Sequence, residues 1–368
     1  MTLSRRKVLS LVGGGAIVAA AIPAAAFLNT RTPQAAVAPW QLAGSYADPR
    51  KNALSFALLA PNPHNLQPWK VELVGEDTVL LWQDTDKRLP ETDPFDRQII
   101  IGLGCFLEQM VLAAGGAGYS ADVSLWPDGE EGPVARAVFA QGGAADPLAA
   151  HMLARRSCKE PFEARALAAD AVAALSEYAG IITDARQVVQ LKSLTWDAWV
   201  TEMETPRTLM ESVDLMRFGK AEINASPDGI DLGGPFLETL MLAGVVSRKV
   251  QADPDSRGFQ EGVKIYNEML FATPAYAVLT SSDNSREAQI GAGRAWLRLN
   301  LKCTALGLSL HPVSQCLQEY PEMSAHYDRA HKLLAAPGET VQMLGRVGYG
   351  PGVAPSPRWP LEAKLLNG

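Results

Sequence analysis

Ala60-Pro61-Asn62-Pro63-His64-Asn65-Leu66-Gln67-Pro68-Trp69 is the most informative stretch of the chain. Three prolines within eight residues fix the backbone, and the amides of Asn62, Asn65 and Gln67 offer donors and acceptors side by side. Such a loop is suited to reading the edge of a planar heterocycle. The same residues also suit a helix stop and turn before a strand, with Trp69 in the core. Upstream, Ala53, Leu54, Ala57 and Leu58 recur at helical spacing from Asp48 to Ala60, and Pro61 ends that helix.

Downstream, Lys70–Val74 and Thr78–Gln83 read as a hairpin turned by Gly75-Glu76-Asp77. An irregular segment, Asp84–Pro94, leads into a long apolar helix from about Arg97 to Ala117, ended by Gly118. Two more strands, Ala121–Trp126 and Val134–Phe139, follow. The pattern then restarts. Pro147–Ala154 is helical, several helices fill Ala168 to about Phe271 with a break at Ser226-Pro227-Asp228-Gly229, and Ala275–Thr280 is a strand. A second long helix, Arg286–Leu306, is ended by Gly307, and Val341–Val347 is the last strand. This predicts an α+β protein of two related halves, 39–150 and 151–368, packed as a pseudo-dimer within one chain. The middle helices could equally be an unrelated insertion.

The 368 residues are 47% hydrophobic and 20% charged, a globular composition with a net charge of −7. Residues 1–38 carry four basic and no acidic residues, so the rest of the chain has a formal charge of −11. That balance argues against nucleic acid as a partner. Ser4-Arg5-Arg6-Lys7-Val8-Leu9 and the Ala- and Gly-rich run from Ser10 to Leu28 have the layout of an export signal, and the paired arginines point to the twin-arginine machinery and a periplasmic or otherwise exported protein. Cuts fit after Ala24-Ala25-Ala26 or after Ala36-Val37-Ala38, and the change of composition at Pro39-Trp40 favours the second. The run is also long enough for a retained anchor, although its Gly, Ser and Pro content suits one poorly. No other segment reads as a membrane span. Cys105, Cys158, Cys303 and Cys316 form no C-x-x-C pair, and the five scattered histidines suggest no metal site.

A second candidate site is Arg155-Arg156-Ser157-Cys158-Lys159: alternating cations and a hydroxyl able to grip a phosphate, or simply a solvated basic helix end. Asn-x-Gln-Pro-Trp after a helix resembles the signature loop of the nitroreductase superfamily. The fuller His64-Asn65-Leu66-Gln67-Pro68-Trp69 resembles its Acg branch, whose members carry two nitroreductase-like halves in one chain. Arg88-Leu89-Pro90, Asp93-Pro94, Arg97, Leu344-Gly345-Arg346-Val347-Gly348-Tyr349-Gly350 and Ser356-Pro357-Arg358 fit the same branch.

The resemblance implies a nitroreductase fold and FMN. It assigns Arg155, Ser157, Lys159 and Arg358 to the FMN phosphate, Asn65 and the backbone of Asn62 and Pro63 to the flavin's pyrimidine edge, and Gln67 to the cofactor site as well. Pro312, Val313 and Ser314, after Gly307-Leu308, run along the ring. Ser314 stands where the family usually has an acidic residue, and His311 lies beside that segment. The first half lacks its own Arg-x-Ser-x-Lys, so the chain is expected to fill one flavin site. The implied activity is two-step, with no catalytic residue beyond the flavin: a donor the sequence does not identify reduces it, then a small acceptor such as a nitroaromatic or quinone reoxidises it. A flavin-sequestering protein with little turnover is the alternative.

Overall fold

The computed structural model describes residues 30–367; the twin-arginine stretch and the apolar run that follows it lie outside the described residues. The chain enters through two short helices, α1 (Gln34–Val37) and α2 (Pro39–Leu42), then α3 (Pro49–Ala57). Asp48 starts α3 by accepting from the Arg50 amide, as an N-cap does.

Strands β1 (Trp69–Val74) and β2 (Thr78–Gln83) form the expected hairpin. Helix α4 (Arg97–Gly116) follows, and β3 (Tyr119–Leu125) and β4 (Ala135–Gln141) complete an antiparallel sheet of order β1-β2-β4-β3. Gly118, after α4, has φ of 82°, which a glycine adopts without strain. The Asp93 carboxylate caps α4 by accepting from the amides of Gln98 (3.1 Å) and Ile99 (3.0 Å), while burial pushes its pKa up to about 6.

The second half runs through α5 (Ala169–Leu175), β5 (Gly180–Ile182), α6 (Ala185–Glu204), α7 (Pro206–Asp214), β6 (Met216–Phe218), α8 (Gly219–Ala225), β7 (Ile230–Leu232), α9 (Pro235–Leu242), α10 (Arg248–Gln251), α11 (Arg257–Phe271), β8 (Ala275–Ser281), α12 (Arg286–Ala305), β9 (Ser309–Pro312), α13 (Ser324–Leu334) and β10 (Thr340–Gly348). Its four-stranded antiparallel sheet has the order β5-β8-β10-β9. If β5, β8, β9 and β10 are set against β1, β2, β3 and β4, the two orders coincide, and α12 takes the place of α4. The stretch α6 to α11 stands where the first half has only the turn Gly75-Glu76-Asp77. The middle region is thus an elaboration of one hairpin connection, and it carries its own parallel pair, β6 with β7.

Helices α4 and α12 pack along each other and join the two sheets. They approach closely because Gly104 faces Gly293: a methyl group on Gly104 would lie 2.3 Å from the Ile290 carbonyl oxygen, and one on Gly293 would lie 2.0 Å from that of Ile101. The Cys105 thiol donates to the Gly293 carbonyl (3.1 Å), and the buried Glu108 pairs with Arg294 and Arg298, both at 2.6 Å. By length and hydropathy α4 could cross a membrane, contrary to the sequence expectation, but almost all of it is buried within the protein. All four cysteines are buried and unpaired.

The expected boundary after residue 38 falls within an arm that packs on the body of the protein. Ala36 is buried, its amide donates to Asn224 Oδ1 (3.1 Å), and its carbonyl accepts from the Arg358 amide (2.7 Å). A cut after Ala38 would sever this packed arm, whereas one after Ala26 would leave it whole. The boundary at 150 is blurred too, because the chain's last residues return to the first sheet, where the Leu366 amide donates to the Val71 carbonyl (2.8 Å).

Two stability predictions follow from this packing. Gly293→Ala forces α4 and α12 apart and should cost about 3 kcal/mol, seen as a lowered midpoint in urea or thermal unfolding. Glu202 in α6 is buried beside Gln318 Nε2 (3.2 Å), and burial pushes its pKa from 4.5 up to about 7. Between those values the native state binds the extra proton, so stability falls as pH rises from about 4.5 through 7. Glu202→Gln should remove that part of the pH dependence, on the order of 3 kcal/mol, in unfolding curves across this window.

Candidate active site

The loop after α3 makes one 3-10 turn, Pro63–Asn65, and holds His64, Asn65 and Gln67 at φ of 47°, 55° and 53°. Three left-handed non-glycine residues so close together persist only where the surroundings over-determine them. Here the side-chain amides do so. Asn62 Oδ1 accepts from the Gln67 amide (2.7 Å), and Asn62 Nδ2 donates to the Ala60 carbonyl (3.2 Å). Asn65 Nδ2 donates to the Pro357 carbonyl (3.1 Å), and its Oδ1 accepts from Arg358. Gln67 Nε2 donates to the Pro227 carbonyl (2.6 Å), and its Oε1 accepts from the Trp359 amide (2.9 Å).

These side-chain amides are thus already engaged within the protein. Both ends of Asn62, Asn65 and Gln67 are engaged within the protein. They staple the loop to the middle region and to the C-terminal tail. Asp228 completes the staple: its buried carboxylate accepts from Lys87 (2.6 Å), Arg217 (3.0 Å), Ser226 (2.9 Å) and the Trp359 indole (3.0 Å); burial alone would raise its pKa, but the bonds from Lys87, Trp359 and Ser226 outweigh it and hold it far below the usual carboxylate range. His64 stays available. Its Nδ1 has no partner among the described residues, and burial, with Lys159 nearby, pushes its imidazole down to about 4, so it is neutral.

Arg155 and Arg358 are both buried at the C-terminal end of α3, where exposed carbonyls carry partial negative charge. Arg358 Nε donates to the Leu58 carbonyl (2.8 Å), and its Nη2 to those of Leu59 and Ala60 (both 3.1 Å). Its Nη1 is engaged by Ser356 Oγ (2.6 Å) and the Pro357 carbonyl (2.8 Å) as well as Asn65. Arg358 has thus no idle nitrogen to close a phosphate clamp; it caps a helix. Arg155 differs. Its Nη2 donates to the Leu59 carbonyl (2.9 Å), but Nε and Nη1 have no partner among the described residues. A buried guanidinium with two idle donors is costly. Burial, then Arg156, pulls its pKa down to about 10.

Cys158 donates its amide to the Leu310 carbonyl (3.1 Å), which lays Ser157 and Lys159 beside β9. Arg346 fixes this segment: Nη2 donates to the carbonyls of Cys158 (3.3 Å) and Glu160 (3.1 Å), on either side of Lys159. Its Nε donates to His311 Nδ1 (3.1 Å), which places the imidazole proton on Nε2. Burial, with the charges of Arg346 and Lys159, keeps His311 neutral. His311 lies within β9. Pro312 ends β9, Val313 is buried with its amide on the Leu344 carbonyl (2.9 Å), and Ser314 Oγ faces the Leu344 carbonyl (3.4 Å) and Met343 sulfur. Val313 and Ser314 thus direct their side chains into the core.

Sequence reasoning missed Asp231, on β7 of the middle region. Its side chain is exposed, and the charges of Lys159 and Arg358 act on it. It also missed Trp40, on which the Arg156 guanidinium lies 4.2 Å from the ring centroid. Neither residue belongs to a motif; each is brought to the clamp by folding alone. Arg155, with two idle buried donors, fits an anionic group such as a phosphate.

The protein these features define is an α+β protein of two topologically matching antiparallel sheets, with a basic, partly unsatisfied cluster beside a rigid loop. No family model matches the chain. Over 345 residues it is 24% identical to a Mycobacterium tuberculosis protein named as an NAD(P)H nitroreductase, covering 86% of this chain and 93% of the relative. A 79-residue segment is 38% identical to the M. tuberculosis protein acg, likewise named, covering 21% of this chain and 23% of that one. Among solved structures, the FMN-dependent nitroreductase NfnB of Mycobacterium smegmatis, in complex with NADPH, aligns with a TM-score of 0.37 at 18% identity, over 59% of this chain and 96% of its own. A protein of Anabaena variabilis named as a nitroreductase aligns with a TM-score of 0.41 at 12% identity, over 80% and 82%.

Arg358→Ala should leave the Leu58 carbonyl without a donor, leave those of Leu59 and Ala60 with only Arg155 and Asn62, and destabilise the fold by about 3 kcal/mol. Chemical denaturation checks this. An unchanged midpoint would show that the arginine is dispensable to the fold.

Proposed function

We propose that the chain is a nitroreductase-like oxidoreductase that binds one FMN per monomer, its phosphate at Arg155, Ser157 and Lys159, and passes electrons from a donor to a small acceptor of nitroaromatic or quinone type. The observation that carries this reading is the pair of idle, buried donors on Arg155, whose Nη2 is bonded to the Leu59 carbonyl just before the rigid loop. A phosphate supplies the acceptors that those donors lack. Bound FMN would supply the hydride and electron chemistry.

The chain's own residues do the rest. Arg155 and Lys159 grip the anion, and Arg346 holds Lys159 in place through the carbonyls on either side of it. The neutral His311, with its proton on Nε2, and the neutral His64 set the polarity beside the clamp without adding charge. The twin-arginine stretch favours export of the folded, loaded protein, and export favours a donor other than cytoplasmic NAD(P)H.

A second reading, sequestration of the flavin with little turnover, draws support from the middle region. Pro227, Asp228 and Gly229 are bonded directly to the signature loop and the tail, and Trp40 lies over Arg156. A region so stapled opens only by breaking buried polar contacts.

FMN and riboflavin binding, followed by quenching of flavin fluorescence, tests the site. Arg155→Ala should weaken FMN about 30-fold and riboflavin little, because a charge-assisted contact to phosphate is lost. Asp231→Asn should tighten FMN about threefold by removing a like charge. Equal FMN affinity in Arg155→Ala and the unaltered protein would overturn the placement. Anaerobic reduction by dithionite followed by prompt reoxidation with a quinone or nitroaromatic supports the reductase, while a flavin that bleaches but resists every acceptor supports sequestration.

A further inference from the structure

The arm from Arg31 to Leu42 belongs to neither four-stranded sheet. Its helices, α1 and α2, have four residues each. Helices so short do not hold by themselves in water, so their anchors decide whether the arm stays in place. Thr32, Gln34, Ala35, Gln41 and Leu42 are exposed, whereas Ala36, Pro39 and Trp40 are buried.

The anchors reach three parts of the protein. Toward the middle region, the Ala36 amide donates to Asn224 Oδ1 on α8 (3.1 Å), and Arg31 pairs with Glu238 on α9 (3.1 Å). Toward the C-terminal tail, the Ala36 carbonyl accepts from the Arg358 amide (2.7 Å), and the Trp40 indole donates to the Ser356 carbonyl (2.8 Å). Toward the candidate site, the Arg156 guanidinium lies 4.2 Å from the Trp40 ring centroid and that of Arg358 lies 5.7 Å from it. Arg156 in turn donates to the carbonyl of Arg155 (2.7 Å).

Ala36 is thus bonded through its amide to the middle region and through its carbonyl to the tail. Four residues after Asn224, Asp228 ties the same region to the same tail through the Trp359 indole (3.0 Å). The arm doubles that tie with weaker parts: a few hydrogen bonds, a partly exposed ion pair and cation–π contacts. An element held this way opens locally far more often than the sheets beneath it.

We propose that residues 31–42 form a strap that holds α8 against the C-terminal tail, and that its opening controls how fast FMN enters and leaves the site at Arg155. The holding of α8 stands by itself, whereas the control of exchange rests on the FMN reading.

Hydrogen exchange of the full chain, read by mass spectrometry without any ligand, tests the strap from both sides. Trp40→Ala, which removes the indole bond and the ring beside Arg156, should speed exchange at the amides of α8 about tenfold. Asn224→Ala, which removes the acceptor for Ala36, should do the same at the amides of α1 and α2. Both should leave α4 and α12 unchanged. Trp40→Phe, which keeps a ring beside Arg156, serves where Trp40→Ala loosens α4 as well, with an increase at α8 of about threefold. Release of FMN, followed by the recovery of free-flavin fluorescence, should quicken about tenfold in Trp40→Ala and Asn224→Ala.

Unchanged exchange at α8 in both Trp40 variants would overturn the strap. Faster exchange at α8 with unaltered FMN release would overturn its control of the site. Should the unaltered protein bind no flavin, the FMN reading and the control of exchange both fail, and exchange at α8 alone decides whether the strap holds the middle region.

Discussion

The close approach of α4 and α12 is the contact on which the other parts depend. Each helix belongs to one sheet, and together they join two sheets that would otherwise have separate cores. Gly104 and Gly293 allow the backbones to meet with no side chain between them. Glu108 is buried at this contact, where its charge is matched by Arg294 and Arg298 from the other helix. Arg97, at the start of α4, adds a further tie, because its guanidinium donates to the carbonyls of Leu317 and Gln342 in the second half (both 2.7 Å). Small residues and paired charges along one contact fix the register of the two halves.

That register brings the C-terminal end of α3 against Arg155 and Arg358, which come from distant parts of the chain. The carbonyls of Leu58, Leu59 and Ala60 lack helical partners and attract cations. Arg358 satisfies them and is saturated in doing so. Arg155 contributes one bond and keeps two donors idle. The two arginines thus differ: Arg358 spends all its donors within the protein and Arg155 keeps two idle, although they look equivalent as arginines in motifs. The same division runs through the loop. Asn62, Asn65 and Gln67 hold a strained backbone, and His64 is left with an unpartnered nitrogen.

The middle region has two faces. Its inner face, through Pro227, Asp228 and Asp231, closes on the loop and the clamp. Its outer side, at α9, exposes Phe236 and Leu242. Both follow from a single placement: the region replaces a three-residue hairpin turn of the first half, so it emerges from one edge of the second sheet and folds back over the site.

The sequence by itself determined the elements whose signals are local. The helix stop at Pro61, the Gly75-Glu76-Asp77 hairpin, both long apolar helices and the glycines that end them are readable because periodicity and backbone preference act over a few residues. It also marked the loop and the basic motif as places of unusual chemistry. It overlooked the short strands β5, β6, β7 and β9 and helix α13, whose few residues carry little periodic signal. Tertiary structure alone decided which polar groups are used up and which remain. A hydrogen-bond partner hundreds of residues away, such as Pro357 for Asn65 or Ala36 for the Arg358 amide, leaves no trace in local pattern. Whether an amide or guanidinium can meet a ligand depends on those partners.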